Sequence, residues 1–285
     1  MGKVTKSPQS KTSREWIRRG YYLFHPTKDK FRLDWTQSLS IVAGTLGMLP
    51  FYDLRPYVRG CLLDDGCGVR PFSVIFKNQV EEYIGIDVLE DWDTGRDIDI
   101  YADGCQLPFP EKAFDTVLSA SVIEHVADTE AYMGEIARVL KPGGHLLLLA
   151  PFTYPVHAPV RDYYRFTANG LRALAEKYGF EVVTIRSCGG PICFMVDFFV
   201  KGAEFFLLFL DRSFNWNLAQ NRVLRWFLAV PQWIFLALYK PIYRWMLREE
   251  PKEELQGSRA DRIRWLYRKH TDTYSMCYVM VGRRR

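Results

Sequence analysis

The 285-residue chain has no Cys-x-x-Cys pair, and none of its six cysteines or five histidines clusters at zinc-ligand spacing. The sequence therefore offers no metal centre. It has no internal repeat and no low-complexity tract, which argues against a solenoid or a disordered scaffold. It also lacks an uninterrupted apolar run of the about 20 residues that a bilayer requires. Pro191–Leu210 is broken by Asp197, Lys201 and Glu204, and Trp226–Tyr239 is only 14 residues long with Pro231 inside it. The N-terminus has no apolar core of a signal peptide, and Lys6 stands where a myristoylation signal needs Ser or Thr. These absences suggest a protein of the reducing cytoplasm whose thiols act as small hydrophobes.

Hydrophobic residues make up 48% of the chain, enough for a sizeable core. The net charge of +5 is unevenly spread. Residues 1–35 hold nine Lys/Arg against three Asp/Glu, and residues 211–285 hold fifteen against seven, which leaves the middle acidic. Basic flanks on an acidic centre suit an anionic partner such as a membrane surface or a phosphorylated substrate, or else only a solvated surface.

From residue 59 the pattern alternates strand and helix. Strands are predicted over Arg59–Asp64, Glu82–Asp87, Asp97–Tyr101, Ala113–Ser119, His145–Pro151, Glu181–Ser187 and Tyr274–Gly282. Asp128 or Thr129 caps a helix carrying Met133, Ile136 and Leu140, which Lys141-Pro142-Gly143-Gly144 ends. Thr167 caps another carrying Leu171, Leu174 and Tyr178. This order predicts an α/β, doubly wound, Rossmann-like and mostly parallel seven-stranded sheet. Residues 1–57 read as a basic arm, loosely ordered at first, with lead-in helices after it. Residues 58–190 with 273–285 read as the sheet domain, and 191–272 as a helical hydrophobic insertion before the last strand.

The densest chemistry is Leu63-Asp64-Asp65-Gly66-Cys67-Gly68, followed 19 residues later by Asp87. A strand running into glycines, then a second strand ending on a carboxylate, is how such sheets hold a nucleoside. A dinucleotide fingerprint does not fit, because Val69-Arg70-Pro71 replaces the third glycine. The plain alternative is a tight turn.

Further motifs follow in order: Gly85-Ile86-Asp87, Ala102-Asp103-Gly104-Cys105-Gln106-Leu107-Pro108-Phe109, Phe114-Asp115, Ile123-Glu124-His125-Val126 and Arg138-Val139-Leu140-Lys141-Pro142-Gly143-Gly144. Together the set resembles the class I S-adenosylmethionine-dependent methyltransferases of the type 11 group. The stretch from Pro155-Val156-His157 to Asp162-Tyr163-Tyr164-Arg165-Phe166-Thr167 resembles a subgroup found among bacterial glycan and envelope biosynthesis enzymes.

The resemblance implies S-adenosyl-L-methionine as cofactor. Asp64, Gly66, Cys67 and Gly68 would line its methionyl end, Asp87 would take the ribose hydroxyls, and Val88 would pack on the adenine. Asp103 with Gly104 would meet the adenine amino group, and Ser119 and Ala120 would face the amine and sulfonium. Candidate bases are His125, then His157, then Asp162. Arg161, Tyr163, Tyr164 and Arg165 suit a sugar face or a phosphate, or else close the sheet edge.

The resulting expectation is methyl transfer to a glycan, nucleotide-sugar or lipid-linked glycan. One alternative is a small-molecule or quinone-type O- or C-methyltransferase; another is a non-catalytic cofactor-binding membrane scaffold. No Asn/Asp-Pro-Pro-Tyr-type motif follows the fourth strand, and Arg283-Arg284-Arg285 alone is thin support for nucleic acid. The greasy insertion reads as a lid or as helices in a membrane interface on the cytoplasmic side.

Overall fold

The computed structural model describes residues 24–27, 30–33, 50–88, 98–156, 161–214 and 275–285, with a few helical positions between 230 and 241. Strands β1 (Phe24–Thr27) and β2 (Lys30–Leu33) pair antiparallel, Phe24 opposite Leu33. This part of the arm was expected to be loosely ordered. Only two residues separate the strands, a spacing that favours a hairpin. The rest of the predicted arm, with Trp16, Tyr21 and Tyr22, lies outside the described residues, as do residues 35–49 of the lead-in helices.

Strands β3 (Cys61–Asp65), β4 (Glu82–Asp87), β5 (Ile100–Tyr101), β6 (Phe114–Ala120), β7 (Leu140–Pro151), β8 (Phe180–Cys188) and β9 (Cys277–Arg284) form one sheet. Their order is β5-β4-β3-β6-β7-β9-β8. All neighbours from β5 to β7 are parallel, while β9 runs antiparallel between β7 and β8. The fold is thus the doubly wound, mostly parallel seven-stranded α/β sheet that the sequence implies.

The central strands are apolar on both faces, as a sheet covered on both sides requires. Leu63, Val117, Leu146 and Leu148 pack toward helices α2 (Thr129–Val139) and α3 (Ala168–Lys177), through Met133, Ile136, Leu171 and Ala175. Leu62, Leu118, Leu147 and Leu149 pack on the other face with Phe51, Leu54 and Phe76, the last residue of the short α1 (Ser73–Phe76). The predicted caps are present. The Asp128 carboxylate accepts from the Ala131 N–H at 2.9 Å, and the Thr167 hydroxyl accepts from the Gly170 N–H at 3.0 Å.

Most strand ends differ from the expected ones by one to three residues, and the boundary between α2 and β7 differs more. α2 ends at Val139, and Leu140 opens β7 instead of completing the helix stripe. Lys141-Pro142-Gly143-Gly144 then runs within β7 as a bulge, because the register passes from Phe114 opposite Leu140 to Thr116 opposite His145. The bulge suits these residues: Gly143 takes φ +76°, and a Cβ on Gly144 would sit 2.9 Å from the Lys141 carbonyl oxygen. After β8 the chain leaves the sheet through the 24-residue helix α4 (Pro191–Phe214) and returns as β9.

Candidate active site

Asp65 lies opposite Ile86 of β4 and Ser119 of β6, and Asp87 lies opposite Tyr101 of β5. Four strand ends therefore come level at one edge. The chain steps outward from β3 through β4 to β5, then returns to β6 beside β3. Such a switch point leaves a crevice outside the carboxyl ends of the strands. Asp64, Gly66, Cys67, Gly68, Asp87, Val88, Asp103, Gly104, Ser119 and Ala120 all fall at this edge.

The glycine loop folds back over β4. The Gly66 and Cys67 N–H groups both donate to the Ile86 carbonyl, at 3.0 and 2.8 Å. Gly66 has φ +74°, and a Cβ there would come within 2.3 Å of the Val122 side chain. Gly68, at φ +54°, donates its N–H to Asp87 Oδ2 at 2.9 Å, while Asp87 Oδ1 accepts from the Val88 N–H at 2.8 Å. The Cys67 thiol is buried, and burial pushes its pKa up, so this residue contributes backbone rather than a thiolate.

Arg70 occupies the place of a third glycine with φ +54° and pairs with Asp99 at 2.6 Å. Partial burial opposes ionisation of Asp99, but the Arg70 guanidinium and the Gly85 N–H outweigh it and hold the carboxyl below its usual range. The Arg70 side chain thus ties the loop to the segment entering β5.

Asp64 and Asp65 are both buried. Asp64 accepts from the Tyr83 hydroxyl, whereas Asp65 Oδ2 has no hydrogen-bond partner among the described residues. Burial pushes each carboxyl up to about 7, opposed at Asp64 by the Tyr83 hydroxyl and at Asp65 by Tyr132. Ser119 is fully buried and its hydroxyl bonds the Tyr132 hydroxyl at 2.8 Å, so that hydroxyl is engaged inside the core. Asp103 Oδ1 accepts from the Cys105 N–H at 2.8 Å, so Asp103 shapes a turn while remaining exposed at the edge. A Cβ on Gly104 would meet the Tyr132 ring at 2.5 Å.

Tyr83, Tyr132 and Asp65 were not singled out from the sequence. Strand alternation sends Asp64 and Asp65 to opposite faces at one strand end, and Tyr132 stands at i, i+4 and i+7 with Ile136 and Val139. Those two patterns would have found Asp65 and Tyr132.

The acceptor side follows β6. In the 3-10 turn Ile123–His125, Glu124 is fully buried, and burial pushes its carboxyl up to about 8. His125 Nδ1 lies 2.6 Å from the Arg161 carbonyl oxygen. A carbonyl only accepts, so Nδ1 carries the proton and Nε2 is the basic nitrogen, 3.8 Å from Glu124 Oε1. Arg161 itself contributes this carbonyl from an exposed position.

Asp162 and Arg165 hold each other. The carboxylate side chain is 1% exposed, and one of their two contacts is 2.7 Å. Arg165 also donates to the Tyr154, Pro155 and Tyr164 carbonyls. This pair pins the loop, so the side-chain geometry favours the edge-closing role over Asp162 as a base or Arg165 as a ligand. Tyr164 donates to the Ala127 carbonyl at 2.9 Å and Tyr163 is half exposed beside it. His157 lies outside the described residues.

A glycine loop at the switch point of a doubly wound sheet, with carboxylates near it, is an arrangement that suits a nucleoside cofactor. Residues 63–148 match the family model described as "Methyltransferase domain". Among curated proteins, the "Ubiquinone/menaquinone biosynthesis C-methyltransferase UbiE" of Hahella chejuensis is 36% identical over 111 residues, 36% of this chain and 45% of that protein. The protein of the same name from Saccharophagus degradans is 43% identical over 65 residues, 23% of this chain and 26% of that protein. The chain thus spans less than half the length of these relatives. A solved structure of a SAM dependent methyltransferase from Archaeoglobus fulgidus aligns with TM-score 0.47 and 14% identity, over 85% of this chain and 94% of that one. The match of residues 63–148 to a methyltransferase domain makes S-adenosyl-L-methionine, the cofactor that the sequence motifs imply, the molecule to compare with this edge.

The residues present fit that molecule. Its ribose hydroxyls need an acceptor, and the Asp87 carboxylate stands at the end of β4 beside the Gly66–Gly68 turn, where Gly66 leaves no space for a Cβ.

Proposed function

We propose that the protein is an S-adenosylmethionine-dependent methyltransferase whose acceptor is an apolar small molecule with a quinone-type ring, reached at a membrane surface on the cytoplasmic side. The observation that carries the enzyme reading is the Gly66–Gly68 turn bonded to Asp87 where β3, β4 and β6 end together, within the segment that matches the domain. Two points support a small apolar acceptor over a glycan. The matched relatives bear quinone C-methyltransferase names. In addition, two of the four residues suited to a sugar or phosphate are spent within the chain: Arg165 on Asp162 and on backbone carbonyls, and the Tyr164 hydroxyl on the Ala127 carbonyl.

When bound, S-adenosylmethionine supplies a methyl group on a sulfonium, already activated for displacement. The chain's part is to align the acceptor and to remove its proton. Asp87 would hold the ribose, fixing the ligand along the sheet edge, and Asp65 would balance positive charge. His125 Nε2 would take the acceptor's proton, because the Arg161 carbonyl fixes the other nitrogen as a donor.

Calorimetric titration with S-adenosylmethionine tests the cofactor, beside Asp87→Ala. Wild type should bind, and the variant should lose at least about tenfold in affinity, since hydrogen bonds to a carboxylate are worth roughly 1.5–3 kcal/mol each. Labelled-methyl transfer to a demethylated hydroquinone, beside a lipid-linked glycan, separates the acceptors. Transfer to the glycan alone would reverse the acceptor assignment and leave the methyltransferase reading standing.

A further inference from the structure

α4 is apolar on the side turned away from the protein. Its inward face carries Cys193, Asp197 and Val200, none more than 9% exposed. On the opposite side Ile192, Met195, Phe198, Phe199 and Phe206 are 53–67% exposed. Positions 192, 195, 199, 202 and 206 advance by threes and fours, so they share one helix face. At Gly202 on that stripe, nothing lies within 4 Å of where a Cβ would stand. Large contiguous apolar surface on a soluble protein marks a docking site.

The sequence that follows is charged in one sense only. Residues 212–248 contain Arg212, Arg222, Arg225, Lys240, Arg244 and Arg248 and no Asp or Glu, and they hold four of the chain's eight tryptophans. Within this stretch Ile234 and Leu238 are exposed at 57% and 65%. Arginine and lysine among Trp and Tyr suit the headgroup layer of an anionic bilayer, where the cations meet phosphates and the rings lie at the boundary. A second copy of the chain would bring the same cations against one another, whereas an anionic surface neutralises them. Crossing the bilayer does not fit, since among the described residues no helix is long and apolar enough.

The position is suited to delivery. β8 runs in the direction of β7, being antiparallel to the strand between them. α4 therefore leaves the sheet from the edge that carries the cofactor crevice.

We propose that the outward face of α4 lies in the plane of an anionic lipid surface and sets the crevice edge of the sheet against it, the acid-free composition of the sequence 212–248 matching the charge of that surface. This docking does not depend on the nature of the methyl acceptor.

Sedimentation of the full chain with vesicles tests it, using phosphatidylcholine alone and phosphatidylcholine mixed with phosphatidylglycerol. Wild type should sediment with the mixed vesicles, weakly with the neutral ones, and less as salt is raised. Phe198→Asp/Phe199→Asp should lower partitioning at least about tenfold, with unchanged circular dichroism and unchanged S-adenosylmethionine affinity as controls for folding. Light scattering on the same samples completes the test. A wild-type dimer that ignores vesicles and is split by the double variant would make this face a self-association surface and overturn the proposal. A monomer that ignores both vesicle types would overturn it as well. Neither result would touch cofactor binding, which calorimetry reads separately.

Discussion

At the residue scale, the site is governed by carboxyl groups that the fold keeps from water. Asp64 and Asp65 sit at about 7, raised chiefly by burial. A group whose folded pKa is raised contributes stability that is present below its unfolded value near 4 and lost as pH rises through the folded value. The unliganded protein should therefore lose thermal stability between about pH 4 and pH 7 from these two groups. A cationic ligand favours their ionised forms, so S-adenosylmethionine should bind more tightly at pH 8 than at pH 6. Asp65→Asn should flatten that dependence and raise unliganded stability at pH 8 by about 1 kcal/mol or more. Melting curves and calorimetry across the pH range read both; affinity that falls toward pH 8 would contradict this account.

His125 is a second residue-scale case. Its Nδ1 contact with the Arg161 carbonyl leaves a defined basic nitrogen. His125→Ala should lower turnover by about 10²–10⁴-fold, with cofactor affinity within about twofold of wild type. Full turnover in the variant would assign the chemistry to alignment alone.

At the scale of elements, the C-terminal arginines are ties between layers. Arg284, near the end of β9, donates to the Ala137 carbonyl at 3.1 Å and to the Tyr178 and Gly179 carbonyls at 3.0 and 3.3 Å. Ala137 lies in the last turn of α2, and Tyr178 and Gly179 follow α3, where helix carbonyls lack partners and attract a cation. Arg283 pairs with Glu181 across to β8. Seen as sequence, this basic tail suggested nucleic acid only weakly, and two of its three cations are engaged within the chain, Arg284 between layers and Arg283 at the surface. Arg284→Ala should cost about 1.5–3 kcal/mol in urea denaturation, whereas Arg285→Ala should change little. Asp115 plays a similar part at the other end of the sheet: it accepts from the Cys61 N–H and from Lys141, so β3, β6 and β7 are joined at their starts.

At the scale of the whole molecule, β9 is the keystone of one half of the sheet. It separates β7 from β8 and hydrogen-bonds both. Its two neighbours would be left with unpaired edges if it were removed, and buried backbone groups without partners are costly. A chain truncated before residue 275 should show no cooperative melting. A sharp transition in that truncation would mean that α2, α3 and the five parallel strands suffice.

Much of this was written in the chain. Strand and helix periods, the Asp128 and Thr167 caps, the Gly66–Gly68 turn and the carboxylate ending β4 are local properties, set by backbone conformation and by which side chains avoid water. Local signals end where partners come from afar. The bulge at Lys141–Gly144 exists because β6 and β7 must pair on both sides of it. Ser119 met Tyr132 only through the packing of α2, and Asp162 was taken by Arg165 once the loop closed. The sequence by itself determined the parallel sheet, its cofactor edge and the apolar stripe of α4, since each depends on spacing along the chain. Tertiary structure alone decided which carboxylates are buried, which histidine nitrogen is basic and that the α4 stripe faces outward, because each depends on distance and solvent exclusion between segments far apart in sequence.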